Sequence, residues 1–243
     1  PPMSDNATAP VPLVVLTRPR DASARFAAAL RAELGPVLIA IAPLMEIVPG
    51  HMIPDLAGAS GLIFTSAAGV AVFAAQNTRR DLPAWCVGAR TAQAARDIGL
   101  VAHTAEGDAD ALVATIIAAR PAGRLVHLCG THSRGDVADR LCAAGLWAEA
   151  QVIYDQPALG ATEDLTTALA HPGPIIVPLF SPRSAALFAE VAGSADVIPV
   201  ALSAAVRAAL PADLAARARQ ATSPDAAAMI HAVAAVMSGH SAA

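Results

Sequence analysis

The chain has 243 residues, a formal net charge of −4, a hydrophobic fraction of 55% and a charged fraction of 15%. That much apolar material excludes general disorder, which depends on low hydrophobicity, and the length suits two α/β lobes of roughly 110–120 residues each. Its 16 Lys-or-Arg positions are all arginine and form no basic run, so the electrostatic footprint of a nucleic-acid binder is missing.

Pro1–Pro12 reads as a loose tail without the basic-then-apolar order of a signal peptide, with Met3 as the expected natural start and a cytoplasmic location expected. Leu13–Leu16 is the first short apolar, β-branched run and predicts a strand, followed by a helix over Asp21–Leu34. Pro36–Val48 is the longest apolar run, but it contains Pro43 and Glu46 and falls well short of the ~20 residues that span a bilayer. Within it, Leu38–Val48 is expected to be an extended crossing between lobes. Strand–helix pairs then follow: Gly61–Phe64 with Ala68–Ala75, Trp85–Val87 with Thr91–Asp97, and Arg124–Leu128 with Arg134–Ala144. Glu149–Asp155 is a second extended segment, able to pair antiparallel with the first crossing. Ile175–Phe180 with Arg183–Val191 and Val197–Leu202 with Ala204–Leu210 complete the alternation. Strands alternating with helices of about ten residues signal βαβ units and a mostly parallel sheet.

The chain also repeats itself. Ile63-Phe64-Thr65-Ser66 ahead of an Ala-rich helix returns as Leu179-Phe180-Ser181-Pro182, and Leu16-Thr17-Arg18 is echoed by Thr131 to Asp136. Glu106-Gly107-Asp108-Ala109 returns more weakly as Ser223-Pro224-Asp225-Ala226. The offset is about 116 residues, which argues for two copies of one module. The expected fold class is α/β, with two similar open parallel-sheet, flavodoxin-like lobes joined by a two-stranded antiparallel linker. One lobe is interrupted, at residues 11–38 plus 163–243; the other is inserted at 52–150; residues 39–51 and 151–162 connect them. Two lobes on two flexible strands make a hinge and a cleft.

Three cysteines, Cys86, Cys129 and Cys142, form no CxxC pair and read as buried free thiols. His127, Cys129 and His132 are close in sequence, but Gly130 turns the chain between them, and no metal site is expected. No GxGxxG after a strand, GxxxxGK[ST], HExxH or GxSxG occurs, so no cofactor is expected. What remains is a set of strand ends followed by hydroxyl residues or glycine and a helix start. They are Thr17-Arg18, Thr65-Ser66, Gly88 to Thr91, Thr131 to Arg134, Ser181 to Ser184, and Ser203. Strand C-termini of an open parallel sheet line the ligand crevice, and helix N-termini there present free N–H groups suited to carboxylates. Each Ser or Thr taken singly is also an ordinary helix cap. Arg18, Arg90, Arg134 and Arg183 fall in or just after these loops, as carboxylate partners or as solvated surface arginines. Tyr154, the single tyrosine, follows Val152-Ile153 on the second crossing, so its ring is expected to face the cleft or to pack at an interface.

In this order and spacing, Leu16-Thr17-Arg18-Pro19, Phe64-Thr65-Ser66, Val87-Gly88-x-x-Thr91-Ala92, Gly107-Asp108-Ala109-Asp110-Ala111-Leu112, Gly130-x-x-Ser133-Arg134, Val152-Ile153-Tyr154 and Phe180-Ser181-Pro182-x-Ser184-Ala185 resemble the uroporphyrinogen-III synthase family. The resemblance runs from Leu13 to Val236. It departs at Ala67-Ala68-Gly69, where the family often carries Asn or Arg, and at Leu202-Ser203-Ala204-Ala205-Val206, in place of Gly-x-x-Thr. It implies two α/β lobes on a two-stranded ladder and a lyase of porphyrin and heme biosynthesis, working without cofactor as a monomer. Hydroxymethylbilane, a linear tetrapyrrole with eight carboxylates, would lose its hydroxyl, invert its last ring through a spiro intermediate and close to uroporphyrinogen III. Tyr154 matches the family's implicated tyrosine, as donor to the departing hydroxyl. Arg18, Thr65, Ser66, Gly88, Thr91, Gly130, Ser133, Arg134, Ser181, Ser184 and Ser203 would hold acetate and propionate groups. Two other readings stand beside it. One is a non-catalytic tetrapyrrole-binding or regulatory module of the same fold; the other is a hydrolase using Ser133 and His132, whose adjacency is poor geometry for a nucleophile and its base.

Overall fold

The computed structural model describes residues 10–105, 107–133 and 136–241. The chain divides into two units, one ending at Glu46 and resuming at Ala158, the other spanning Ile47–Pro157. The first unit opens with β1 (Leu13–Leu16), α1 (Arg20–Leu34) and β2 (Leu38–Ile41). The inserted unit then supplies β3 (Val48–Pro49), β4 (Ala59–Phe64), α2 (Ala67–Gln76), β5 (Ala84–Cys86), α3 (Ala89–Asp97) and β6 (Ala102–Thr104). It continues with α4 (Ala109–Ala119), β7 (Arg124–Gly130), α5 (Val137–Ala143) and β8 (Trp147–Asp155). The chain returns to the first unit with α6 (Glu163–Leu169), β9 (Ile175–Leu179), α7 (Pro182–Val191) and β10 (Val197–Ala201). It ends with α8 (Ala204–Ala208), α9 (Ala212–Arg217), β11 (Arg219–Gln220) and α10 (Ala226–Ser241).

In the first unit the five strands run in parallel in the order β11-β10-β9-β1-β2. Strands buried on both faces read as continuous apolar runs, as β1 and β9 do. Leu13, Val15, Val177 and Leu179 pack one face against Leu165, Phe188, Val206 and Leu214 of α6 to α9. Val14, Leu16, Ile176 and Val200 pack the other against Phe26 and Leu30 of α1 and Met229 and Val233 of α10.

The inserted unit has the order β3-β8-β7-β4-β5-β6, all parallel except β3. Leu62, Phe64, Val126 and Leu128 face α2 and α3, whereas Ile63 and Leu125 face Leu112, Ile116 and Leu141 of α4 and α5. Setting β3 aside, β8-β7-β4-β5-β6 and β2-β1-β9-β10-β11 are the same flavodoxin-like arrangement, entered at different strands. β4 and β9, which carry the repeated Phe-Thr-Ser and Phe-Ser-Pro ends, occupy the same central slot. The weaker echo is a shared helix start: Asp108 accepts from Asp110 N and Ala111 N ahead of α4, and Asp225 accepts from Ala228 N in α10.

The expected crossing over Leu38–Val48 is divided. Leu38–Ile41 is a sheet strand parallel to β1, because Ile39, Ala40 and Ile41 find apolar partners on both faces. Among the described residues, antiparallel pairing is confined to Met45↔Ala158, Val48↔Asp155 and Pro49↔Tyr154. β8 pairs with β3 on one side and runs parallel to β7 on the other. Cys86 and Cys129 are buried, but Cys142 is exposed, contrary to expectation. It lies on the outer side of α5, whose Val137, Ala138 and Leu141 take the core face. No helix among the described residues is long and apolar enough to cross a membrane.

Candidate active site

All the parallel strands of the inserted unit end at one edge, so chain-distant residues meet there without needing long side chains. β4 runs into Thr65-Ser66, β5 into Gly88, β7 into Gly130-Thr131, and β8 delivers Tyr154. Ser66 has extended backbone and is the N-cap of α2, its Oγ accepting from Ala68 N at 3.0 Å and Gly69 N at 3.4 Å. Tyr154 donates its phenolic hydrogen to the same oxygen at 3.3 Å.

Two glycines make the slot for that phenol. A Cβ on Gly130 would lie 2.5 Å from Tyr154 Cε2, and one on Gly69 would lie 3.6 Å from Cε1. The ring that was expected to face a cleft is therefore packed inside the inserted unit and only 5% exposed. Burial pushes the phenol above its ordinary pKa and the Ser66 contact offsets only part of this. The group is a neutral donor at working pH.

Thr65, on the same edge, meets His127 of β7, with Oγ1 3.1 Å from Nε2. His127 is 2% exposed, and desolvation drives its pKa down to about 4. It is a neutral imidazole with a hydroxyl partner, a pairing that sequence reading missed when it weighed His127 only as a metal ligand. The two-residue alternation was the available signal, since Ile63 and His127 are in register on β4 and β7. Its sequence neighbours point elsewhere: Cys129 Sγ approaches Gln151 O at 3.8 Å and His132 Nε2 lies 3.9 Å from Asp155 Oδ1.

Gly88 has φ +152°, which L side chains rarely adopt, and starts α3 without a side-chain cap. Thr91 is 6% exposed in that helix's first turn. Thr131 N donates to Tyr154 O at 3.0 Å and Ser133 N to Gly130 O at 3.1 Å, folding the loop after β7 back on itself. Burial raises the Cys129 thiol pKa, opposed by a hydrogen bond with Ser133. Arg134 lies outside the described residues.

In the first unit, Arg18 follows β1 with its guanidinium 4.3 Å above the Phe180 ring, a cation–π placement. Thr17 beside it is fully buried, and its Oγ1 has no hydrogen-bond partner among the described residues. Ser181 and Ser184 form a reciprocal capping box at the start of α7, with Pro182 between them. Ser184 is 3% exposed and donates to Ser181 O at 2.8 Å, so its hydroxyl is engaged in the cap. Ser203 caps α8 through Val206 N at 3.4 Å. Ser66, Ser181 and Ser203 are thus all helix caps at strand ends, the ordinary structural role of such residues.

Within the inserted unit the fold brings Thr65, Ser66, Gly88, Thr91, Gly130, Ser133 and Tyr154 to one sheet edge. Arg18, Ser181, Ser184 and Ser203 share the corresponding edge of the first unit's sheet. Tyr154, Ser66, Gly69 and Gly130 are in direct contact; they can present a fixed, neutral hydrogen-bond donor beside a helix N-terminus.

The family model described as Uroporphyrinogen-III synthase HemD matches residues 24–231. Among solved structures, the uroporphyrinogen-III synthetase of Helicobacter pylori 26695 is similar with a TM-score of 0.68 at 15% identity, over 93% of this chain and 100% of that one. A mutant uroporphyrinogen III synthase of the extremely thermophilic bacterium Thermus thermophilus is similar with a TM-score of 0.53 at 14% identity, over 93% and 99% of the two chains. At such identities the likeness is one of fold. No curated protein matches the chain.

Proposed function

The chain belongs to the uroporphyrinogen-III synthase family, and from that we propose that it is the cytoplasmic lyase that closes hydroxymethylbilane to uroporphyrinogen III, with loss of water and inversion of the last pyrrole ring. It is an enzyme of heme biosynthesis. The observation that carries the reading to this chain's own residues is the Tyr154 phenol, held in a glycine slot at the strand edge with its hydrogen directed to the α2 cap.

The bond changes occur within the substrate, so the protein's work is to fold a flexible chain and favour one closure over another. Departure of the hydroxyl needs a proton or a strong hydrogen bond at the leaving oxygen. A buried phenol with a raised pKa keeps its hydrogen at neutral pH, and it supplies that donor by turning its O–H from Ser66 Oγ to the leaving oxygen. The proton returned when the new ring carbon loses its hydrogen restores the balance, so no net acid is consumed. Acetate and propionate groups are held by the strand-end groups at Thr65, Ser66, Gly88, Thr91, Gly130 and Ser133 in the inserted unit. Arg18, Ser181 and Ser203 do so in the first, with Ser184 supporting Ser181 through the shared cap and Arg134 also assigned to the set. Helix N-terminal dipoles favour such anions.

The test is an assay with freshly prepared hydroxymethylbilane, oxidation of the products and separation of the porphyrin isomers. Predominantly type III product is expected. Type I isomer alone, at the rate of the protein-free control, would overturn the proposal.

A further inference from the structure

The first unit has a crevice that its own core leaves unfilled. β11 is only two residues long and pairs with β10 through Val200↔Arg219 and Ala201↔Gln220. β11 therefore gives no strand partner to the first half of β10, where Ile198 sits half-buried. α10 crosses above this gap with Ala228, Ala232 and Ala235, whose methyl groups are too short to close it. The crevice is open to solvent, with Arg219, His231 and Ala235 exposed at its rim. A cavity of about 680 Å³ remains, within the usual size range of small-molecule sites.

The chemistry of its walls is one-sided. Arg217, Arg219 and His231 line it over an apolar floor, and none of the residues that line it is Asp or Glu. Arg217 is paired at 2.8 Å with Asp196, outside that lining, and Asp225 lies close enough to His231 to feel its charge. Arg219 makes no ion pair among the described residues. A neutral apolar guest would leave that guanidinium unused, and water would wet a largely apolar floor.

We propose that this crevice binds a small amphipathic carboxylate, with its apolar body along Ala232, Ala235 and Val236 and its anionic head on Arg219. The planar guanidinium fork matches a carboxylate, and the apolar floor selects against small hydrophilic acids. The site shares no residue with the candidate active site and does not depend on the reaction proposed above.

Dodecanoate titrated calorimetrically into the whole protein is expected to bind saturably at one site. Arg219→Gln is expected to weaken binding about tenfold or more, the loss of one charge-assisted hydrogen bond. Ala235→Leu keeps a good helix former and fills the crevice, so it is expected to abolish binding with an unchanged circular-dichroism spectrum. Absence of saturable binding would overturn the proposal. So would equal affinity in the wild type and both variants, or equal affinity for dodecan-1-ol.

Discussion

Tyr154 and Ser66, 88 residues apart, are joined by a 3.3 Å hydrogen bond in which the phenol donates to the serine oxygen. That oxygen also accepts from Ala68 N, so one atom holds both the start of α2 and the end of β8. The phenol's position and the helix's entry angle are thereby coupled.

Tyr154→Phe keeps the ring in its slot and deletes only this donor. Stability is expected to fall by about 1 kcal/mol, the usual net worth of such a bond. Turnover of hydroxymethylbilane is expected to fall roughly 10²- to 10⁴-fold, the typical weight of a positioned general acid. Steady-state kinetics beside urea denaturation separates the two effects, and unchanged turnover would remove the phenol from the proposed mechanism.

Because Tyr154 is the single tyrosine, its ionisation can be followed directly by phenolate absorbance. Burial raises its pKa, so the titration is expected to lie alkaline of free tyrosine. Ser66→Ala is expected to move it further up, since the Ser66 contact is what lowers it. A titration at or below the free value would contradict the buried geometry.

Gly130→Ala would place a methyl 2.5 Å from Tyr154 Cε2 and 2.7 Å from Cζ. The ring must shift, at a cost of about 1–3 kcal/mol. In a Tyr154→Ala background the clash has no partner, so the same substitution is expected to cost clearly less, a non-additivity measurable by a double-mutant cycle. Equal costs in both backgrounds would mean that the ring does not occupy the Gly130 slot.

His127 has a folded pKa of about 4 against an ordinary 6.5. Above pH 6.5 the imidazole is neutral in both states and contributes no pH dependence. As pH falls from 6.5 towards 4, the unfolded chain takes up a proton that the folded chain does not, so stability is lost across that window. The full loss is about 3 kcal/mol. Melting temperature followed over this range is expected to fall more steeply for the wild type than for His127→Gln, whose amide matches the position of Nε2 beside Thr65. Parallel curves would show that His127 titrates normally.

Arg124 is buried in β7, where its guanidinium donates to the carbonyls of Ala57 and Asp55 and to Glu149 Oε1, the last at 2.7 Å. Arg124→Met keeps the aliphatic stem but leaves Ala57 O without its donor and Glu149 without its ion-pair partner, while Asp55 O and Glu149 Oε1 keep the Gln151 amide. The expected cost is about 1–3 kcal/mol. Both tryptophans, Trp85 and Trp147, lie in the inserted unit, so fluorescence-detected denaturation reports this loss. A shift under about 0.5 kcal/mol, the range of ordinary surface substitutions, would contradict a structural role for the cluster.

The strands that form the sheet centres were readable as short apolar runs. Leu13–Leu16 coincides with β1, and Gly61–Phe64 and Ile175–Phe180 differ from β4 and β9 by two residues at most. β6 and β11 were not readable in this way. Ala102–Thr104 and Arg219–Gln220 are edge strands with exposed residues, so they lack the apolar pattern that burial imposes. β2 was taken for a crossing because an extended apolar segment looks the same in either role. Only its partner β1 distinguishes them.

The chain order alone determined that there are two copies of one α/β module, one inserted in the other, that the serines follow strand ends, and that Tyr154 lies on an extended segment. Local patterning carries such information, since strand burial, helix capping and turns each depend on residues close in sequence. The slot that Gly69 and Gly130 open for Tyr154, the pairing of Thr65 with His127, and the capture of Arg18 by Phe180 depended on the folded sheets. These contacts join residues tens to more than a hundred positions apart. Parallel strands bring them to one edge, and the register between strands sets which side chains meet.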